Sequence, residues 1–78
     1  MKLHYIIQDL AALDYVVRFE FHKELDGQLV YDGAFDIISI LDDGKVIPVT
    51  PEDDEIIIHW LIENEWKIYR QAEKECII

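Results

Sequence analysis

Residues Tyr15 to His22 alternate strictly, and few foldable alternatives survive that pattern. Tyr15, Val17, Phe19 and Phe21 fall on one face of an extended chain, and Val16, Arg18, Glu20 and His22 fall on the other. A period of two with aromatic and β-branched residues is the pattern of a half-buried strand. Lys2 to Ile7 reads as a shorter strand, with Leu3, Tyr5 and Ile7 opposed to His4 and Ile6. The residues between, Gln8 to Asp14, form either a loop or one turn of helix.

Three Asp-Gly steps follow: Asp26-Gly27, Asp32-Gly33 and Asp43-Gly44. Glycine supplies positive φ without steric cost and Asp tolerates turns, so each step reads as a reversal. Asp43-Gly44 is the strongest, a tight hairpin joining a strand at Phe35–Asp42 to a short one at Lys45–Val49. In the first of these, Phe35, Ile37 and Leu41 share a face with Ser39, while Ile38 and Ile40 share the other. Either both faces are covered, or a bulge near Ser39 switches the register. Gln28 to Tyr31 adds a further short strand candidate.

Thr50-Pro51-Glu52-Asp53 begins a helix. Thr50 is a capping residue, Pro51 suits the first helical position, and the acids from Glu52 to Glu55 complement the positive end of the dipole. The helix is expected to run to about Lys74, with Ile57, Leu61, Ile68 and Ala72 clustering with Ile58, Ile62 and Tyr69 on the face that covers the sheet. Glu65 falls within that stripe, so it needs a partner such as Arg18 or a bend that frees it. Ile56 and Trp60 project away from it, and Trp66 sits at its margin. Either Ile56 and Trp60 mark a contact surface, or Trp60 folds over the sheet edge, or Asn64 shifts the helix phase. The expected architecture is α+β: a small antiparallel sheet of three to five strands followed by one C-terminal helix packed on it.

Seventy-eight residues suffice for one domain, and an apolar content of 51% excludes a disordered acidic tail. The formal charge is −10, and it is unevenly placed. Glu24 to Trp66 holds twelve acidic residues and one basic residue, Lys45, while the flanks hold five acids and six bases. Such a surface repels nucleic acid and anionic membranes and suits a basic protein partner. Turn and helix-start preferences account for the residue types but not for the near absence of Lys and Arg. Either these acids are turn and helix-start residues whose charge keeps a small protein soluble, or Asp26, Asp32, Asp36, Asp42, Asp43, Glu52, Asp53, Asp54 and Glu55 form one contiguous negative surface. No apolar run is long enough for a membrane span, and no signal-peptide pattern is present. The single cysteine, Cys76, excludes an intrachain disulfide framework and fits a reducing compartment.

The inventory for catalysis is poor. Ser39 lies in an apolar strand, Thr50 is a cap, and His4, His22 and His59 lack zinc-ligand spacing, which makes them ordinary surface or strand histidines. The Asp-Gly sites lack the alternating oxygen donors and final Glu of a calcium loop. These features predict a binding protein that is not an enzyme and needs no metal or cofactor.

The run Phe35-Asp36-Ile37-Ile38-Ser39-Ile40-Leu41, the Asp43-Gly44 turn and the capped acidic helix with Ile62-Glu63 resemble a type of small protein found in bacteriophages and mobile elements. The resemblance covers roughly residues 15 to 66 and carries no functional residue with it. In size, acidity and lack of catalytic groups the chain is also similar, as a class, to anti-CRISPR proteins and DNA-mimic inhibitors. These resemblances imply an inhibitor acting in the cytoplasm of a bacterial host on a nucleic-acid-binding complex. The partner-binding residues are then Asp42, Asp43, Glu52, Asp53, Asp54 and Glu55, with Ile56 and Trp60 as apolar anchors. The alternative is a structural or assembly module, alone or as a homodimer, whose acidity serves solubility.

Overall fold

The computed structural model describes residues 1–76. They form strands β1 (Lys2–Leu10), β2 (Leu13–Lys23), β3 (Leu29–Asp42) and β4 (Lys45–Ile47), then helix α1 (Pro51–Cys76). The strands lie in chain order β1-β2-β3-β4, all antiparallel, and α1 packs on one face of the sheet. The alternation in β2 is realised: Tyr15, Val17, Phe19 and Phe21 are all but inaccessible, and Leu3, Ile7 and Ile40 join them from the neighbouring strands. This is the α+β arrangement expected from the sequence, with four strands.

The turns depart from the sequence reading in two places. Gln8 to Asp14 is neither a loop nor helix: β1 continues to Leu10, pairs with Leu13, and reverses through Ala11 and Ala12 alone. Both alanines have positive φ, 52° and 65°, the requirement of the type I′ turn that matches strand twist. Asp9 is also left-handed, at φ 57°, in a bulge whose N–H donates to Asp14 Oδ1 at 3.0 Å. Alanine gives no hint of such a turn, which normally selects Asn or Gly. Asp32-Gly33 is not a reversal. Phe19 pairs with Phe35 and Phe21 with Tyr31, so Asp32 to Ala34 bulge opposite Glu20, with Gly33 at φ 82°. The segments expected at Gln28–Tyr31 and Phe35–Asp42 thereby merge into the one strand Leu29–Asp42.

Elsewhere the turn chemistry acts as read. Asp43-Gly44 makes a two-residue hairpin beneath the Asp42–Lys45 pair. At Asp26-Gly27 the Gly27 N–H closes onto the Glu24 carbonyl at 2.9 Å. A second bulge in β3 resolves the ambiguity near Ser39, because Val17 pairs with Ile37 and Val16 with Ser39, which extrudes Ile38. Ile37 and Ile40 both then face the helix. β4 stops at Ile47, since Pro48 has no N–H to continue a ladder.

The helix is rotated from its expected phase. Ile57, Ile68 and Ala72 are fully buried, as read, but Ile58 and Ile62 are 49% and 75% exposed. Ile56 and Trp60, expected to project outward, pack against the core instead. Trp60 lies 5.8 Å from the Tyr5 ring and 6.4 Å from Phe19. Glu65 consequently lies in solvent and needs no buried partner, and Arg18 pairs with Asp36. At the other end of α1, Tyr69 meets Phe21 edge-on at 5.2 Å and accepts the Tyr31 backbone N–H at 2.8 Å.

The Ala11-Ala12 turn holds two Cβ-bearing residues in a left-handed conformation that disfavours them. Replacing the pair by Asn-Gly (Ala11→Asn with Ala12→Gly) is expected to raise stability by about 1 kcal/mol, read as a higher denaturant midpoint with an unchanged slope.

Candidate functional site

The nine acids that are candidates for one surface divide among four environments. Asp26 and Asp32 lie at the end of the sheet where β2 turns into β3, beside the C-terminal half of α1. Asp36 sits on the uncovered sheet face, paired with Arg18. Asp53 is buried. The remaining five, Asp42, Asp43, Glu52, Asp54 and Glu55, are exposed at the opposite end, where the β3–β4 hairpin and the helix start meet.

Two carboxylates that the sequence reading passed over join these five. The β1–β2 hairpin brings Asp9 and Asp14 to the same end, since Asp14 pairs with Leu41, next to Asp42. The missed signal was the hairpin itself, hidden by its two alanines. Acidic residues from three chain segments therefore converge on one pole, with Lys45 as the basic residue among them. Of the seven Lys and Arg residues, Lys2, Lys23, Lys67, Arg70 and Lys74 belong to the other half of a molecule 41 Å long. The chain is electrically polarised along its length.

Asp53 has a different task from its neighbours. Its Oδ1 accepts the Tyr15 hydroxyl at 3.0 Å, and its Oδ2 accepts the Thr50 N–H at 2.8 Å and the Thr50 hydroxyl at 3.1 Å. This is a capping box in which the third helical residue reaches back to the cap. Thr50 contributes its hydroxyl as a donor to the carboxylate, a reversal of the expected role. Burial pushes the Asp53 carboxyl up, but the bonds from the Thr50 N–H, from Tyr15 and from the Thr50 hydroxyl outweigh it and hold the group below the usual carboxylate range. Burial first, then the bond and charge of Asp53, push the Tyr15 hydroxyl up to about 12. A carboxylate committed to three internal donors is unavailable to a partner, so Asp53 leaves the candidate set. Ile56 and Trp60 leave it as anchors, being part of the packing against the sheet.

His22 is more engaged than an ordinary strand histidine. Nδ1 faces Asp32 and Nε2 lies 3.1 Å from Glu24 Oε1, and these bonds, that to Asp32 foremost, raise its pKa above the usual value. With a carboxylate on each ring nitrogen, the imidazolium form ties the end of β2 to the β3 bulge. Among the described residues no group of three or more His, Cys, Asp or Glu could hold a metal ion, and no helix is long and apolar enough to cross a membrane.

Asp53→Ala is expected to cost about 2–3 kcal/mol, because it strands the buried Tyr15 hydroxyl and opens the helix start, against about 1 kcal/mol for Thr50→Ala. Chemical denaturation of the two variants checks the order. A lowered folded-state pKa means that Asp53 contributes fully above about pH 4 and that its contribution is lost as pH falls through the folded value. Tyr15, raised, contributes fully below about pH 10 and loses its contribution as pH rises toward 12. The pH dependence of the midpoint should show both limbs, with Asp53→Asn flattening the acid one.

No protein-family model matches the chain, and neither a curated protein nor a solved structure matches it.

Proposed function

We propose that the chain is a non-enzymatic binding protein of phage or mobile-element origin that covers a Lys/Arg-lined surface of a host nucleic-acid-binding complex, in the manner of anti-CRISPR and DNA-mimic inhibitors. The observation that carries this reading is the acidic pole. Asp9 and Asp14, Asp42 and Asp43, and Glu52, Asp54 and Glu55 come from three separate segments and meet with a single lysine between them. Uncompensated like charges repel and cost stability, so their convergence is better explained by a complementary surface than by solubility, which dispersed charge serves equally well. Binding begins with long-range attraction of the pole to a basic channel and continues with carboxylate–guanidinium and carboxylate–ammonium pairing, which excludes the nucleic acid.

A second reading, assembly through the sheet, draws support from the face that α1 leaves uncovered. Ile6 is 58% exposed there beside Val16, and Ile38, extruded next to Ser39 on the other side of Val16, is 49% exposed. A dimer seen by light scattering and dissolved by Ile6→Lys would favour it.

The test is displacement of fluorescent duplex DNA from purified RNA-guided nuclease complexes. The chain is expected to displace the DNA at low salt and progressively less as ionic strength rises, because screening acts over about 10 Å at 0.1 M. Joint neutralisation of Asp42, Asp43, Glu52 and Asp54 to their amides should abolish displacement with the fold intact. Failure to displace DNA from any such complex, or displacement that ignores both salt and these substitutions, would remove the proposal.

A further inference from the structure

The outer edge of β3 is open along most of its length. β4 pairs only with Ile40, Leu41 and Asp42, and Pro48 then diverts the chain into the helix. The pleat determines which backbone groups this exposes. Phe21 exchanges both of its backbone bonds with Met1, at 2.8 and 2.7 Å, so Phe21, Phe19 and Val17 direct their N–H and C=O groups toward β1. Their partners on β3, namely Tyr31, Phe35 and Ile37, therefore turn theirs outward. The Tyr31 N–H finds the Tyr69 hydroxyl. Those of Phe35 and Ile37 have no such acceptor among the described residues.

A groove runs beside this edge. Its walls are Phe35 from β3 and Ile58, Leu61 and Ile62 from α1, with Ile58 and Ile62 largely exposed. Asp54, Ile58, Leu61 and Glu65 follow one another at helical spacings of four, three and four residues, which sets them in a row along one side of α1. An apolar pair is thus bracketed by two exposed carboxylates, and Lys67, Arg70 and Lys74 lie on the other side of the helix.

We infer that this edge and groove receive an extended, cationic segment of a partner protein, added to the sheet as a fifth strand beside β3. Backbone bonds to Phe35 and Ile37 hold the segment. Alternate side chains face the helix row, apolar ones at Ile58 and Leu61 and Lys or Arg at Asp54 and Glu65. The lengths agree: eleven residues of helix span about 16 Å, and seven residues of strand place their end side chains about 20 Å apart, a difference within the reach of a lysine. A second copy is a poor occupant, because it would bring another −10 chain against the same carboxylates. This site shares Asp54 with the acidic pole, but its open edge and its apolar groove lie along β3 and α1, away from the other six carboxylates of that pole.

The probe is an end-blocked peptide KTVTVTK, with ETVTVTE as its control, titrated into the isotope-labelled full chain and followed by amide NMR. The cationic peptide is expected to shift the Tyr31–Ile37 amides and to slow solvent exchange at Phe35 and Ile37, with the acidic peptide silent. Asp54→Asn with Glu65→Gln should weaken binding about fivefold, whereas Glu73→Gln with Glu75→Gln, an equal change of charge at exposed positions outside both sites, should leave it unchanged. Equal binding of both peptides, no shifts on β3, shifts confined to β1, or a dimer whose β3 strands pair with each other would overturn the inference.

Discussion

The hydrogen bond from the Tyr15 hydroxyl to Asp53 joins the central part of the sheet to the helix at the point where the helix begins. Its consequences reach along all of α1. With Asp53 held under Tyr15, the residues that follow at helical spacing, Ile57, Leu61, Ile68 and Ala72, meet the sheet, and Ile58 and Ile62 are carried outward. A buried carboxylate among donors is also intolerant of displacement, because sliding the helix by one residue would strand Tyr15 and Asp53 together. The contact therefore fixes rotation and register as well as adding stability, something that apolar packing alone specifies less sharply.

This explains why the strands were more legible than the helix face. Alternation in Tyr15–Phe21 can be satisfied by one orientation only, since a slip of one residue exposes every aromatic ring. The helix has apolar residues over much of its circumference, including Ile56, Ile57, Ile58, Trp60, Leu61 and Ile62. Counting them centres the stripe near Ile58, and the sequence offers nothing to weight Asp53 as an inward-facing residue. Acidic residues at a helix start are ordinarily a solvated cap. The distinguishing feature here is a tyrosine thirty-eight positions away, and no local pattern connects the two.

The acidic site was legible in composition and only partly in place. Asp42, Asp43, Glu52, Asp54 and Glu55 come together because the β3–β4 hairpin and the helix start are adjacent in the chain. Asp9 and Asp14 were missed because the turn between them is made by alanines in a conformation that alanine rarely adopts. Asp26 and Asp32 were included because they are near in sequence, though a long antiparallel strand carries its ends far apart. At about 3.4 Å per residue, β3 separates Asp32 from Asp42 by roughly 30 Å. Chain proximity is a sound guide across a tight turn and a poor one along a strand.

The simple up-and-down order of the strands bears on how the chain reaches this state. Each ladder joins segments that follow one another directly, through turns of two residues at Ala11-Ala12 and Asp43-Gly44 and a loop from Glu24 to Gln28. Closing such short loops costs little entropy, so the hairpins can form independently and zip together. Only the docking of α1 across the sheet requires distant residues to meet, from Tyr15 with Asp53 and Tyr31 with Tyr69 to the more widely separated Phe21 with Tyr69 and Tyr5 with Trp60. A sheet of this kind has a low contact order for a β-rich domain, which places it toward the rapid end of the range for mixed folds, with helix docking as the step that completes the core.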